Sequence, residues 1–258
     1  MNGTTGAARW FHRPLPRPAA RLRLVCVPYA GAGAGVFRPW AARLPADVEL
    51  IAVRLPGREN RLREPPPADW PSLTRDFAAA LDAHIPSPYL LFGHSMGAML
   101  AYESVVGPLT RLPERVLLSG CRAPHVPRAL PALHALPPEE FHAELGRLTA
   151  TPADVLADRA LMALLTPMLR ADIRLAETWT HPAPSQLPCP ATVFSGTEDD
   201  VAPPDAVAAW RSLAPHGHRE HALNGGHFFP FTRTPDLLAL LAEETTPAPA
   251  LPRRSDGS

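Results

Sequence analysis

Three short stretches of this 258-residue chain carry side chains whose types and order suit nucleophilic attack on a carbonyl carbon. The first is Gly93-His94-Ser95-Met96-Gly97, which follows the apolar run Tyr89 to Phe92 and precedes the helix-compatible Ala98 to Glu103. A serine so placed has the form of a nucleophile elbow, a tight strand-to-helix turn. Small residues two positions either side let neighbouring backbone pass, and the hydroxyl projects at the positive end of the following helix. A serine hydroxyl needs a base near neutral pH, and the base needs an acceptor that fixes its tautomer and stabilises the imidazolium. Both types follow downstream, an acid in Ser195-Gly196-Thr197-Glu198-Asp199-Asp200 and a base in Asn224-Gly225-Gly226-His227. Each lies on a turn-rich stretch after a strand-like run, where residues at the carboxyl edge of a parallel sheet belong.

Asp199 stands three residues after Gly196 and is the expected acid; Asp200, just before Val201, is the alternative, and Glu198 reads as solvated. His227 is the expected base, with two glycines before it and Phe228-Phe229-Pro230 after it. His216, His218 and His221 read as part of a solvated turn, because His-x-His without a third ligand makes a poor metal site. The oxyanion formed on attack needs two backbone N–H donors. Met96, the residue after the serine, supplies the first. The second belongs to the turn Val27-Pro28-Tyr29-Ala30-Gly31-Ala32-Gly33-Ala34-Gly35, with Ala30 the expected donor and Tyr29 the alternative. That turn matches neither G-x-G-x-x-G nor a phosphate-binding lysine loop, so nucleotide binding is not expected.

The elements that must position these groups alternate. Strand-like runs fall at Arg23 to Pro28, Glu49 to Arg54, Tyr89 to Phe92, Arg115 to Ser119, Ala191 to Ser195 and Arg219 to Leu223. Helical patterns fall at Trp40 to Leu44, Trp70 to His84, Met96 to Val106, Pro204 to Leu213 and Thr234 to Glu244. Continuous apolar runs suit strands buried on both faces, and their alternation with helices predicts an α/β fold with a doubly wound, mostly parallel sheet. One stretch breaks the rhythm. Residues 122–186 carry helical patterns at Pro137 to Leu148, Ala153 to Asp158 and Ala160 to Thr180, far more than the ~2–6 residues of an ordinary α/β connection. A helical lid over the site is expected there. Residues 1–18, rich in arginine and proline, read as a flexible arm, 19–244 as the domain, and 245–258 as a disordered tail.

Composition narrows the class. Hydrophobic residues make up 46% of the chain, enough for one substantial core, and the formal net charge is zero. Neither nucleic acid nor an anionic membrane is an expected partner. All 25 basic residues are arginine, and 34 residues are proline against a usual share of roughly 5%. Cys26, Cys121 and Cys189 are widely spaced and odd in number, so they read as small core residues, with no metal and no cofactor expected. No signal-peptide pattern and no run near the ~18 apolar residues of a membrane span is present, so a cytoplasmic location is expected.

Together these residues resemble the type II thioesterases that accompany modular polyketide and non-ribosomal peptide synthetases, a branch of the α/β-hydrolase superfamily. The elbow is shared with many esterases. Narrower matches are Pro28-Tyr29-Ala30-Gly31, Leu55-Pro56-Gly57-Arg58-Glu59, Arg122-Ala123-Pro124, Leu169-Arg170-Ala171-Asp172, Glu177-Thr178 and Gly225-Gly226-His227-Phe228. Asp199-Asp200-Val201 is one residue tighter than the family's usual spacing. The resemblance implies hydrolysis of stalled acyl groups from the phosphopantetheine arm of an acyl or peptidyl carrier protein, through Ser95, His227 and Asp199. A general carboxylesterase or lipase and a non-catalytic binding protein of the same fold are the competing readings. Arg58, Arg61 and Arg63 are candidates for contact with an acidic carrier protein, and Arg170 with Asp172 reads as a structural pair.

Overall fold

The computed structural model describes residues 3–148 and 153–246. The chain opens with helix α1 (Gly3–Trp10) and a two-residue strand β1 (Phe11–His12). It then alternates through β2 (Leu22–Val27), α2 (Arg38–Ala41), β3 (Val48–Val53), α3 (Trp70–His84), β4 (Tyr89–His94), α4 (Met96–Val106) and β5 (Arg115–Ser119). Three helices follow, α5 (Pro138–Leu148), α6 (Ala153–Ala157) and α7 (Arg159–Thr178). The rest is β6 (Ala191–Gly196), α8 (Pro204–Ala208), β7 (His218–Leu223), α9 (Phe229–Thr232) and α10 (Thr234–Thr245). The strands form one sheet in the order β1-β3-β2-β4-β5-β6-β7. Every pairing from β2 to β7 is parallel, and β1 joins β3 antiparallel.

Successive side chains of a strand point to opposite faces, and both faces here are covered. Val25 and Val27 of β2 enter a cluster with Phe77, Met99, Tyr102 and Trp210, whereas Leu24 and Cys26 enter another with Phe37, Trp40, Leu237 and Leu241. A one-residue slip of β2 would exchange the two sets, so the register is strongly specified. Helix α3 begins where Asp69 accepts the Ser72 N–H at 2.8 Å and Pro71 sits in the first turn, and it buries Leu73, Phe77 and Leu81. The segment expected as one helix over Pro204 to Leu213 is divided, α8 passing into a 3-10 turn at Ala209–Leu213.

The described part of residues 1–18 is not a free arm. Phe11 and His12 pair with Val53 and Ala52, and Trp10 and Phe11 are only 8% and 3% exposed. These two aromatic residues overcome the arginine- and proline-rich composition, since burying one large apolar side chain contributes ~1.5–3 kcal/mol. Arg17 then stitches the segment down, its guanidinium donating to the carbonyls of Ala41, Leu44, Pro45 and Val48. At the other end Thr245 is buried at the close of α10, and residues 247–258 of the expected tail lie outside the described residues.

The insertion between β5 and β6 holds α5, α6 and α7 with a small core of its own, Phe141, Leu145, Met162, Met168, Leu169 and Ile173. Asp158 caps α7 by accepting the Leu161 N–H at 3.0 Å. No helix among the described residues is long and apolar enough to cross a membrane.

Candidate active site

Strand β4 delivers Ser95 to the carboxyl edge of the sheet, where its N–H bonds the Ser119 carbonyl at 2.8 Å. Ser95 adopts φ 54° and ψ −119°, a conformation that costs an L-residue ~1–3 kcal/mol and persists only where the surroundings impose it. The flanking glycines explain how they do so. A Cβ at position 93 would stand 2.2 Å from the Gly97 carbonyl oxygen, and one at position 97 would stand 2.3 Å from that of Val27. Strand, turn and helix therefore cross at backbone contact, and the serine is thrust out above them.

The other two groups arrive on loops after β6 and β7. Glu198 N–H bonds the Gly225 carbonyl at 2.9 Å, and a Cβ at Gly196 would meet that same oxygen at 2.6 Å, so the two loops are laced together. His227 Nε2 lies 3.0 Å from Ser95 Oγ, and its Nδ1 lies 2.8 and 3.0 Å from the two oxygens of Asp199. Asp199 is buried, and its Oδ1 also accepts the N–H groups of Val201 and Ala202 at 2.9 Å each. Asp200, its neighbour, is exposed and takes no part. A serine, an imidazole and a buried carboxylate joined in this order can move a proton off the hydroxyl and stabilise the cation that results.

Behind His227 stands His94, fully buried, its ring centroid 5.0 Å from that of His227 and its Nδ1 3.1 Å from Ser119 Oγ. Burial first, and then the charge of a protonated His227, push its pKa well below the ordinary histidine value, so it stays neutral. Sequence reasoning passed over His94, although it occupies the second position of the elbow itself. Gly120, with φ +54°, lets it fit, since a Cβ there would lie 2.6 Å from His94 Cε1.

Met96 opens α4, and its N–H is one of those a helix leaves unpaired at its first turn. Ala30 follows β2 and lines the same cavity as Ser95 and His227; no acceptor for its N–H is found among the described residues. Tyr29 instead packs its ring against Phe228 and Phe231, at 5.1 and 5.2 Å between centroids. The cavity measures about 110 Å³, and its apolar walls come from Met99, Ile173, Ala176 and Val201. Cys121 also lines it, but burial pushes that thiol up to about 12, so it remains protonated and no rival nucleophile. Glu177 is held there by the N–H groups of Leu133 and His134, by the His134 ring and by Arg128.

Two expectations about charged residues fail. Arg58 and Arg61 are only 4% and 3% exposed, consumed by ion pairs to Asp172 at 2.8 Å and Glu64 at 2.7 Å, so neither is free to meet a partner; Arg63 alone of the three is exposed. Arg170 does not pair with Asp172. Residues two apart on a helix do not face each other, and Arg170 lies over the Phe141 ring at 4.1 Å and donates to the His134 carbonyl at 2.8 Å.

Comparison with known proteins agrees with this geometry. Residues 22–244 match the thioesterase domain family. The gramicidin S biosynthesis protein GrsT of Aneurinibacillus migulanus is 32% identical, over 92% of this chain and 93% of that protein. The thioesterase PikA5 of Streptomyces venezuelae is 36% identical over 85% of this chain and 79% of its own length. Among solved structures, the type II thioesterase BorB from the borrelidin biosynthetic cluster superposes with a TM-score of 0.79 at 33% identity, covering 91% of this chain and 96% of the other. The chain therefore belongs to the thioesterase family and is a serine thioester hydrolase of the α/β-hydrolase fold.

Proposed function

We propose that this protein removes acyl groups from the phosphopantetheine arm of a carrier protein, working as a free-standing editing enzyme beside a cytoplasmic polyketide or non-ribosomal peptide synthetase. The observation that carries the reading is the hydrogen-bonded chain Asp199–His227–Ser95, whose serine and histidine line a cavity with apolar walls. Ser95 Oγ attacks the thioester carbonyl as its proton passes to His227 Nε2, and Asp199 steadies the imidazolium through Nδ1–H. The oxyanion accepts hydrogen bonds from the N–H groups of Met96 and Ala30. Collapse breaks the C–S bond, and the departing sulfur takes the proton from His227. Water then attacks the acyl-enzyme with His227 again as base, the carboxylic acid leaves, and Ser95 recovers its proton.

The central test is intact-mass analysis of an acyl-loaded carrier protein incubated with the protein or with Ser95→Ala. Unloading by the first and a loss of about 10⁴-fold or more in the second is the expected result. Hydrolysis of oxygen esters with no unloading of the carrier would overturn the proposal in favour of a general esterase.

A further inference from the structure

The turn that carries Ala30 is held from outside by an ion pair. Asp172, on α7 of the insertion, is 0% exposed; its Oδ2 accepts the Gly31 N–H at 2.8 Å and its Oδ1 accepts from Arg58 at 2.8 Å. The same guanidinium reaches the Ala32 carbonyl at 2.9 Å. Gly31 has φ +82°, and a Cβ there would stand 2.5 Å from Leu169 Cδ2, so the turn is also pressed against α7. These contacts bear on Ala30 through covalent geometry. Its N–H shares one rigid peptide plane with the Tyr29 carbonyl, and that carbonyl accepts the Ala32 N–H at 3.0 Å. Fixing Ala32 through Arg58 and Gly31 through Asp172 thus fixes the direction in which the Ala30 N–H points.

We propose that Arg58 and Asp172 are a positioning pair that aims the Ala30 N–H at the developing oxyanion and makes that aim depend on the seating of α7. The inference rests on Ala30 being the second oxyanion donor. Oxyanion donors act when charge develops, so misaiming one lowers kcat and leaves the binding of the substrate largely untouched. A purely structural ion pair behaves differently, since its loss lowers thermal stability without changing turnover while the protein stays folded.

The test compares Asp172→Asn and Arg58→Lys with the native protein on a short acyl thioester. It records kcat, KM, Tm and the affinity for a trifluoromethyl ketone whose serine adduct places an oxyanion in the hole. Removal of one donor costs ~10²–10³ in kcat. We expect losses of about 10- to 100-fold in kcat from misaiming it, KM within about threefold, and a matching loss of inhibitor affinity. Arg58→Lys keeps the charge but not the fork that reaches both Asp172 and Ala32, so it tests the idea even where Asp172→Asn folds poorly. Unchanged kcat with a lowered Tm in both variants would overturn it. A third arm replaces the Ala30 amide N–H by an ester oxygen, through a hydroxy acid at position 30. If that change slows turnover and the Arg58 and Asp172 variants do not, the pair's role is wrong while the donor stands. If it changes nothing, the donor assignment fails and takes the pair's role with it; a large cost that Arg58→Lys does not deepen supports both.

Discussion

Gly120 shows how little room the site leaves. Its φ of +54° is one that L side chains rarely adopt, and an added Cβ would press into His94 at 2.6 Å and approach His227 Cε1 to 3.4 Å. Gly120→Ala is therefore expected to cost ~1–3 kcal/mol of stability and to slow hydrolysis by displacing the base, which thermal unfolding and a thioester assay would show together. The acid can be tested as cleanly. Asp199→Asn is expected to lower kcat by about 10⁴-fold by disturbing the imidazole tautomer, whereas Asp200→Asn, exposed and unpaired with His227, should stay within about twofold. That Ser95, Asp199 and His227 come together was legible in the sequence because each is marked by its own local punctuation, a pair of glycines or a strand end followed by a turn. The Arg58–Asp172 pair was not, because nothing local to either residue names the other as its partner and only the folded chain brings them together. Arginines that read as a docking surface became internal struts for the same reason: charge pattern along a loop does not say which way the loop faces.

At the level of elements, the α1–β1 segment is where composition misled. Trp10 packs against Phe77 at 5.9 Å, and the Arg61 guanidinium lies over its ring at 4.0 Å. Trp10→Ala is expected to destabilise the protein by ~3–5 kcal/mol, lowering the denaturant midpoint; a change under about 0.5 kcal/mol would mean that the segment contributes nothing. Glu64 links this segment to the body, accepting from Arg61 and from Arg9, and these hydrogen bonds hold its carboxyl at about 2 against the usual 4.5. A depressed carboxylate contributes stability above its unfolded pKa and loses it as the group is protonated in the fold. The stability difference between the native protein and Glu64→Gln should thus be full above pH 4.5 and shrink as pH falls toward 2. The parallel strands were legible to within a residue or two, since runs such as Leu90-Leu91-Phe92 are apolar on both faces. Strand β1 was not legible, because two residues offer no period to detect.

In the whole molecule, two apolar clusters sandwich the sheet and a third stands apart in the insertion. The alternation of elements foretold the sandwich, and the long stretch without strands foretold the insertion. How the insertion grips the sheet is a matter of packing that no local pattern encodes. Guanidinium groups carry many of the ion pairs: Arg58 reaches Asp172 of α7 from the body, Arg128 holds Glu177 within the insertion, and elsewhere Arg115 and Arg219 of the sheet bond Glu244 of α10. Activated acyl thioesters transfer their acyl groups to free amines, and an acylated lysine loses its charge. A chain without a single lysine side chain has no such target in its framework. Prolonged incubation with a large excess of acetyl thioester should leave every side-chain cation of Ser95→Ala unmodified by mass. Among reactive acyl groups, ion pairs built on arginine keep their charge where the same pairs built on lysine would lose it.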